Sequence, residues 1–212
     1  MHKIESILNP DREKFGQDPF GYSAQARHKF GLASTFAGFP VDITKPATDS
    51  DLKNPVLWLT QAYALSEAAT AVLTKSQEFK SMPLSVRGIC DSQYCAVGLM
   101  LVGYSLEICL KSILIMKEGI EGYKKIEKQH RHHRLHKLAS FIPDLSDKEM
   151  AILKGLTHFV YWAGRYPDPG SGREDDAEDI FNISEKHQIS AKDLFNLSTK
   201  VMHYTSNVAN EI

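Results

Sequence analysis

The chain has 212 residues, of which 42% are hydrophobic and 24% charged, and its formal net charge is −1. This composition predicts one globular domain with an appended segment and excludes a disordered chain. A net charge near zero excludes a nucleic-acid-binding field over the whole surface, so such a surface must be local. Three cysteines are too few for a disulfide framework and favour a cytoplasmic protein. The N-terminus has no apolar core of signal-peptide length.

Residues 1–54 are predicted to form an irregular N-terminal arm. Gly, Pro and Asp recur there, in "DPFGYS", "GFPVDITKP" and "ATDSDLKNP", and these residues favour turns. The same segment holds five phenylalanines, which indicates that the arm packs on the body of the protein. One short helix is expected near "SAQARHKFGLAST".

Residues 55–212 are predicted to form an all-α bundle of four or five up-and-down helices. The first helix begins at Pro55, a residue suited to the first helical position, with Asn54 as its cap. The second helix runs from about Asp91 to Gly119. It is apolar nearly all round, which is typical of the central helix of a bundle. No segment shows the alternation expected of a strand.

Loops and shorter helices are predicted to complete the bundle. A basic loop, "EGIEGYKKIEKQHRHH", leads to a short helix, "RLHKLASFI". Ser146 and Glu149 have the spacing of a capping box and open the next long helix. An acidic loop, "DPGSGREDDAEDIFNIS", then precedes a last helix capped by Ser190. The carboxylates of this loop are interpreted as solvated.

Residues 95–116 are long enough to span a bilayer, but Glu107 and Lys111 lie inside this apolar segment. A charge at the centre of a membrane costs about 2.5–3.5 kcal/mol, so we interpret the segment as a buried helix of a soluble bundle. Lys111 follows Glu107 by four positions, which places both on one helix face in the favoured order. They form either a satisfied pair at the bundle edge or a polar site that faces a cleft or a partner subunit.

The segment "HRHHRLH" at 130–136 concentrates four histidines and two arginines. A metal site is disfavoured, because His132 and His136 share a helix face but zinc needs at least three protein ligands. Arg131 and His136 could instead supply the phosphate stabilisation and proton transfer that RNA cleavage by a ribose 2′-OH requires. The alternative is a solvated, basic helix start.

Trp162, Arg165 and Tyr166 lie near the end of a predicted helix, in "FVYWAGRYPDP". An arginine there can bond the last carbonyl groups and complement the helix dipole. Alternatively, the guanidinium holds a phosphate while the aromatic rings stack on a base.

At "GLMLVGYSLEICLKSIL", "HRLHKLASF" and "LTHFVYWAGRYP" the chain resembles the HEPN family of helical domains, over residues 55–210. The resemblance consists of three features. A long apolar helix carries a small residue, a Glu and a Lys; a short helix begins with a His; and a further helix ends in the pair Arg-Tyr. The residues are Gly103, Glu107, Lys111, His136, Arg165 and Tyr166. It implies a four- or five-helix bundle that is often a homodimer. Many HEPN proteins are metal-independent ribonucleases of toxin–antitoxin and other defence systems, with an R-x4-6-H motif. Others bind nucleotides, RNA or a partner such as a nucleotidyltransferase without catalysis.

Arg131 and His136 have the motif's spacing, whereas Arg165 has the expected helix-end position but no histidine in range. Our leading hypothesis is therefore a non-catalytic module that binds a nucleotide, RNA or a protein partner. Its ligand contacts would be Glu107, Lys111, Trp162, Arg165 and Tyr166. The alternatives are a metal-independent endoribonuclease that uses Arg131 and His136, and a plain helical interaction protein. We expect a cytoplasmic homodimer without cofactor, metal or membrane, with a nucleotidyltransferase or antitoxin as its protein partner.

Overall fold

The computed structural model describes residues 9–39 and 41–211. These residues form helices and turns and no strand, so the predicted all-α fold is confirmed. The chain divides into two compact units, the first ending at Leu57 and the second beginning at Trp58.

The described residues of the first unit form four short helices: α1 (Arg12–Gln17), α2 (Pro19–Ser23), α3 (Ala26–Phe36) and α4 (Asp49–Leu52). Side-chain caps explain why this segment has more helix than the predicted irregular arm. Asp11 and Asp18 accept backbone hydrogen bonds at the starts of α1 and α2, and Thr48 forms a capping box with Asp51. Only α3 corresponds to the short helix that the sequence predicted.

The second unit is a helical bundle. Its helices are α5 (Pro55–Thr74, which begins in the first unit), α6 (Leu84–Ile126), α7 (Leu135–Leu138), α8 (Asp147–His158), α9 (Asp175–His187) and α10 (Ala191–Asn210). Short 3₁₀ turns follow α6 and α7, at Glu127–His130 and Ala139–Phe141, and a π-helical turn, Phe159–Ala163, extends α8. The predicted capping box at Ser146 and the predicted cap at Ser190 are both formed, and Ser190 also makes a capping box with Asp193. Asn54 Oδ1 accepts a hydrogen bond from the Val56 amide.

Two predicted loops are partly helical. The first is the basic loop after Gly119. α6 begins at Leu84, before the predicted start at Asp91, and continues into this loop as far as Ile126, with a break at Gly119, whose φ is 67°. Glycine adopts this left-handed conformation without steric cost, and burial of Tyr123 holds the helix beyond the break. α9 occupies most of the predicted acidic loop, because its first-turn carboxylates complement the helix dipole and Ile183 is buried.

α6 forms the centre of the second unit. Its most apolar stretch is 61% buried, and it is the one described helix long and apolar enough to cross a bilayer, which is consistent with the core helix of a soluble protein. Ser105 ties α6 to α5 by donating a hydrogen bond to the Ala62 carbonyl, at 2.8 Å. The core joins α6 to α7, α8 and α10 through Leu106, Leu110, Ile113, Leu135, Leu138, Ile152, Leu153, Leu197 and Val201.

Candidate functional site

Glu107 lies in the middle of α6 and is 5% exposed. Lys111 Nζ donates to its Oε1 at 2.7 Å, so the pair expected from the four-residue spacing is formed. The second oxygen, Oε2, lies 2.8 Å from His133 Nδ1. A carboxylate this deeply buried needs hydrogen-bond donors, and each of its oxygens receives one. Glu107, Lys111 and His133 form what we call the Glu107 cluster.

His133 is the member of this cluster that the sequence hypotheses missed. Its ring lies edge-on to Tyr104 and Tyr161, with centroid distances of 6.0 and 5.3 Å, and its side chain is 40% exposed. When Nδ1 donates to Glu107, the neutral imidazole carries its lone pair on Nε2, and no described residue bonds that atom. A carboxylate that orients an imidazole in this way is the arrangement that acid–base histidines use.

His136 lies elsewhere, in a cleft between α7, α8 and α9. Two cavities of about 560 and 360 Å³ share His136, Lys154 and Asp179 in their walls, and we call the two together the His136 cleft. The short helix α7 is held beside α8 because the Leu135 amide donates to Thr157 Oγ1 at 3.1 Å.

The smaller cavity carries an excess of positive charge. Four arginine and lysine side chains line it against two aspartates: Arg134, Lys137, Lys154, Arg173, Asp176 and Asp179. Lys154 and Arg173 are paired with the aspartates. The exposed side chains of Arg134 and Lys137 have no hydrogen-bond or ionic partner within the described part of the chain. These two cations are therefore available to an anion from solution.

His136 itself has an unsatisfied atom. Its Nδ1 is buried and bonds no described residue. Burial, followed by the charges of Lys137 and Lys154, lowers the pKa of His136 below its usual value. A buried polar atom without a partner is uncommon and often marks a position that a water or ligand fills.

Tyr161 connects the Glu107 cluster with the His136 cleft. Its ring contacts His133, lines the smaller cavity and lies 6.0 Å from the Arg173 guanidinium carbon. Tyr161 belongs to the π-helical turn, in which Val160 and Trp162 are buried. Such turns occur frequently at functional sites, and here the turn leaves a tyrosine ring between the two groups.

The remaining predicted site residues do not line the His136 cleft. Arg131 is 67% exposed, and its guanidinium lies 3.8 Å from Glu127. Trp162 is buried, with an indole nitrogen that bonds no described atom. Arg165 donates to the Tyr161 carbonyl, the helix-end role that the sequence allowed, and its guanidinium lies over the Tyr166 ring at 5.3 Å.

Within residues 9–39 and 41–211, no group of three or more His, Cys, Asp or Glu side chains is placed to hold a metal ion. No protein-family model matches the chain. No curated protein and no solved structure matches it either.

Proposed function

We propose that this protein is a HEPN-like helical module that binds a phosphate-bearing ligand, a nucleotide or RNA, in the His136 cleft without cleaving it. The observation that carries the proposal is the pair of exposed, unpartnered cations, Arg134 and Lys137, that line a cavity with an excess of positive charge. Arginine offers a fork of donors that matches phosphate oxygens. Tyr161 adds an aromatic face on which a base can stack.

The charge of the cleft also agrees with the requirement for local positive charge that the composition sets. With a net charge of −1, only a local concentration of cations can attract a polyanion, and the smaller cavity supplies one. In this proposal the Glu107 cluster holds His133 and, through it, Tyr161 beside the ligand. The resemblance to HEPN domains adds a cytoplasmic homodimer that works with a nucleotidyltransferase or an antitoxin in a prokaryotic defence or toxin–antitoxin setting.

Removal of the two free cations tests this proposal. In the double variant Arg134→Ala/Lys137→Ala, affinity for a short, fluorescein-labelled, 5′-phosphorylated RNA should fall at least about tenfold, because a hydrogen bond to a charged group contributes about 1.5–3 kcal/mol. The dependence of affinity on salt should also become shallower. Fluorescence anisotropy at several salt concentrations measures both effects.

The matched control is Lys75→Ala/Lys192→Ala, which removes two exposed lysines that do not line the cleft. We expect this control to bind RNA as the wild type does. An equal loss in both double variants would mean that only overall charge matters, and it would contradict a site in the cleft.

Metal-independent RNA cleavage is a second candidate function, favoured by the carboxylate–imidazole pair of Glu107 and His133. The binding proposal expects RNA to remain intact after incubation with the wild type in EDTA. Cleavage that disappears in His133→Ala but persists in Arg131→Ala would instead establish an enzyme with His133 as its acid–base group. Loss of cleavage in both Arg131→Ala and His136→Ala would support the pair that the motif spacing predicts.

A further inference from the structure

Asp179 places a carboxylate among the cations of the His136 cleft. Its Oδ2 lies 2.8 Å from Lys154 Nζ and 2.9 Å from His158 Nε2, and its Oδ1 accepts from Lys154 at 2.9 Å. His158 is largely buried, so its Nε2 faces this carboxylate rather than solvent. The bond from Lys154 holds the pKa of Asp179 below its usual value, which keeps the carboxylate charged near neutral pH.

Asp176 lies one helical turn before Asp179 and forms an ion pair with Arg173. The Arg173 guanidinium donates to Asp176 Oδ2 from Nε at 2.8 Å. Residues three apart lie on one helix face, so α9 directs both carboxylates into the smaller cavity. Two carboxylates of one helix thus pair with Lys154 and Arg173, which would otherwise join Arg134 and Lys137 as cations for an incoming phosphate.

α9 is held to the rest of the second unit by few buried contacts. It packs mainly on α8, and Ile183 is its one buried residue. A mostly apolar cavity of about 250 Å³ lies between α8 and α9, beside Gly155 and Ile183. The carbonyl of Gln188, just after α9, accepts from Lys148 at 3.0 Å, so the C-terminal end of the helix is tied down. The N-terminal half is tied to α8 by Asp179, which pairs with Lys154 and His158, whereas Asp176 pairs with Arg173, three positions before it in the chain.

We propose that α9 is a self-inhibitory segment whose Asp179 and Asp176 carboxylates occupy the phosphate subsite formed by Lys154, His158 and Arg173. This inference rests on the proposed binding function and adds its regulation. A phosphate offers more charge and more acceptor oxygens than a carboxylate, so it displaces Asp179 when it enters the cleft. The carboxylate competes intramolecularly, at a high effective concentration, and α9 therefore sets the ligand concentration at which the cleft fills.

The variant Asp179→Asn tests this inference. It removes the competing charge and should raise affinity for the same labelled, 5′-phosphorylated RNA about tenfold, because the competitor acts intramolecularly. The control is Glu178→Gln, which removes an equal charge from an exposed neighbour on α9 that does not line the cleft. We expect this control to leave affinity unchanged, which separates local competition from general electrostatic attraction.

Failures of the two proposals are distinguishable in this experiment. If the wild type binds RNA and Asp179→Asn binds no more tightly, α9 is not inhibitory, while the proposed binding function stands. If neither protein binds, the cleft is not a phosphate site and both proposals fall. Binding by Asp179→Asn alone would support strong inhibition by α9.

Hydrogen–deuterium exchange of the wild type gives a measurement that does not depend on how the variant folds. Saturating RNA should make the amides of α9 exchange at least about threefold faster, because the helix loses its ion pairs when the phosphate enters. The amides of α10 should not change. Unchanged or slower exchange in α9 would overturn its displacement by the ligand.

Discussion

Replacement of Glu107 by alanine is expected to lower the free energy of unfolding by about 3 kcal/mol, the lower end of the range for breaking a buried ion pair. The substitution leaves Lys111, whose side chain is 14% exposed, without its counter-charge. It also removes the acceptor for His133 Nδ1. The lower end applies because Lys111 can partly reach solvent along its flexible stem and His133 is partly exposed. Urea unfolding followed by circular dichroism measures the change.

The double variant Glu107→Leu/Lys111→Leu is the control for this expectation. Replacing both charges with apolar residues leaves no stranded ion, so the double variant should lose less than about 1 kcal/mol or gain stability. A loss as large as that of Glu107→Ala would show that packing around Glu107 or the lost acceptor for His133, rather than the unpaired lysine, carries the effect.

Gly103→Ala should destabilise the protein by about 2 kcal/mol, although alanine is the better helix former. A Cβ on Gly103 would lie 2.4 Å from Val160 Cγ2 and 3.4 Å from the Leu156 carbonyl oxygen. Val160 is completely buried and its branched side chain has few alternative rotamers. The α6 backbone and the π-helical turn would therefore have to separate. Thermal or urea unfolding reports the loss.

Two further variants assign this loss to the contact. Gly88→Ala lies on the same helix, where an added Cβ meets no atom within 4 Å, and it should be neutral or stabilising. In a double-mutant cycle, Gly103→Ala with Val160→Ala should lose at least about 1 kcal/mol less than the sum of the single losses. Additive losses would mean that Val160 is not the obstacle.

Local signals predicted three of the helix starts. Asn54 before Pro55, the capping box at Ser146 and the cap at Ser190 act within a few residues, so the sequence alone contains them. α9 was missed because its acidic composition resembles a solvated loop. Its helix depends on burial of Ile183 and on ion pairs between Asp179 and α8, which are tertiary contacts.

The candidate site shows the same division between local and distant contacts. The Glu107–Lys111 pair follows from four-residue spacing, whereas the bond from Glu107 to His133 crosses 26 residues. By composition, the histidines of "HRHHRLH" are equivalent. The structure separates them, since His133 joins Glu107, His136 lines the cleft, and the rings of His130 and His132 contact each other. The distinction comes from tertiary packing, of His133 against α6 and of α7 and α9 on α8.

The π-helical turn at Phe159–Ala163 makes this region sensitive to chain length as well as to residue identity. The hydrogen bonds of a π turn span one residue more than those of an α-helical turn, i→i+5 rather than i→i+4. Deletion of a single residue there would restore an α-helical ladder and leave the residues beyond the turn in nearly the same orientation, because the turn is where the helix takes up the extra residue. Gly164 would therefore stay close to Met100, against which a Cβ would lie only 2.4 Å away, while the side chains inside the turn would change direction. We therefore expect a single-residue deletion in this turn to displace the Tyr161 ring from His133 and to leave the packing at Gly164 intact.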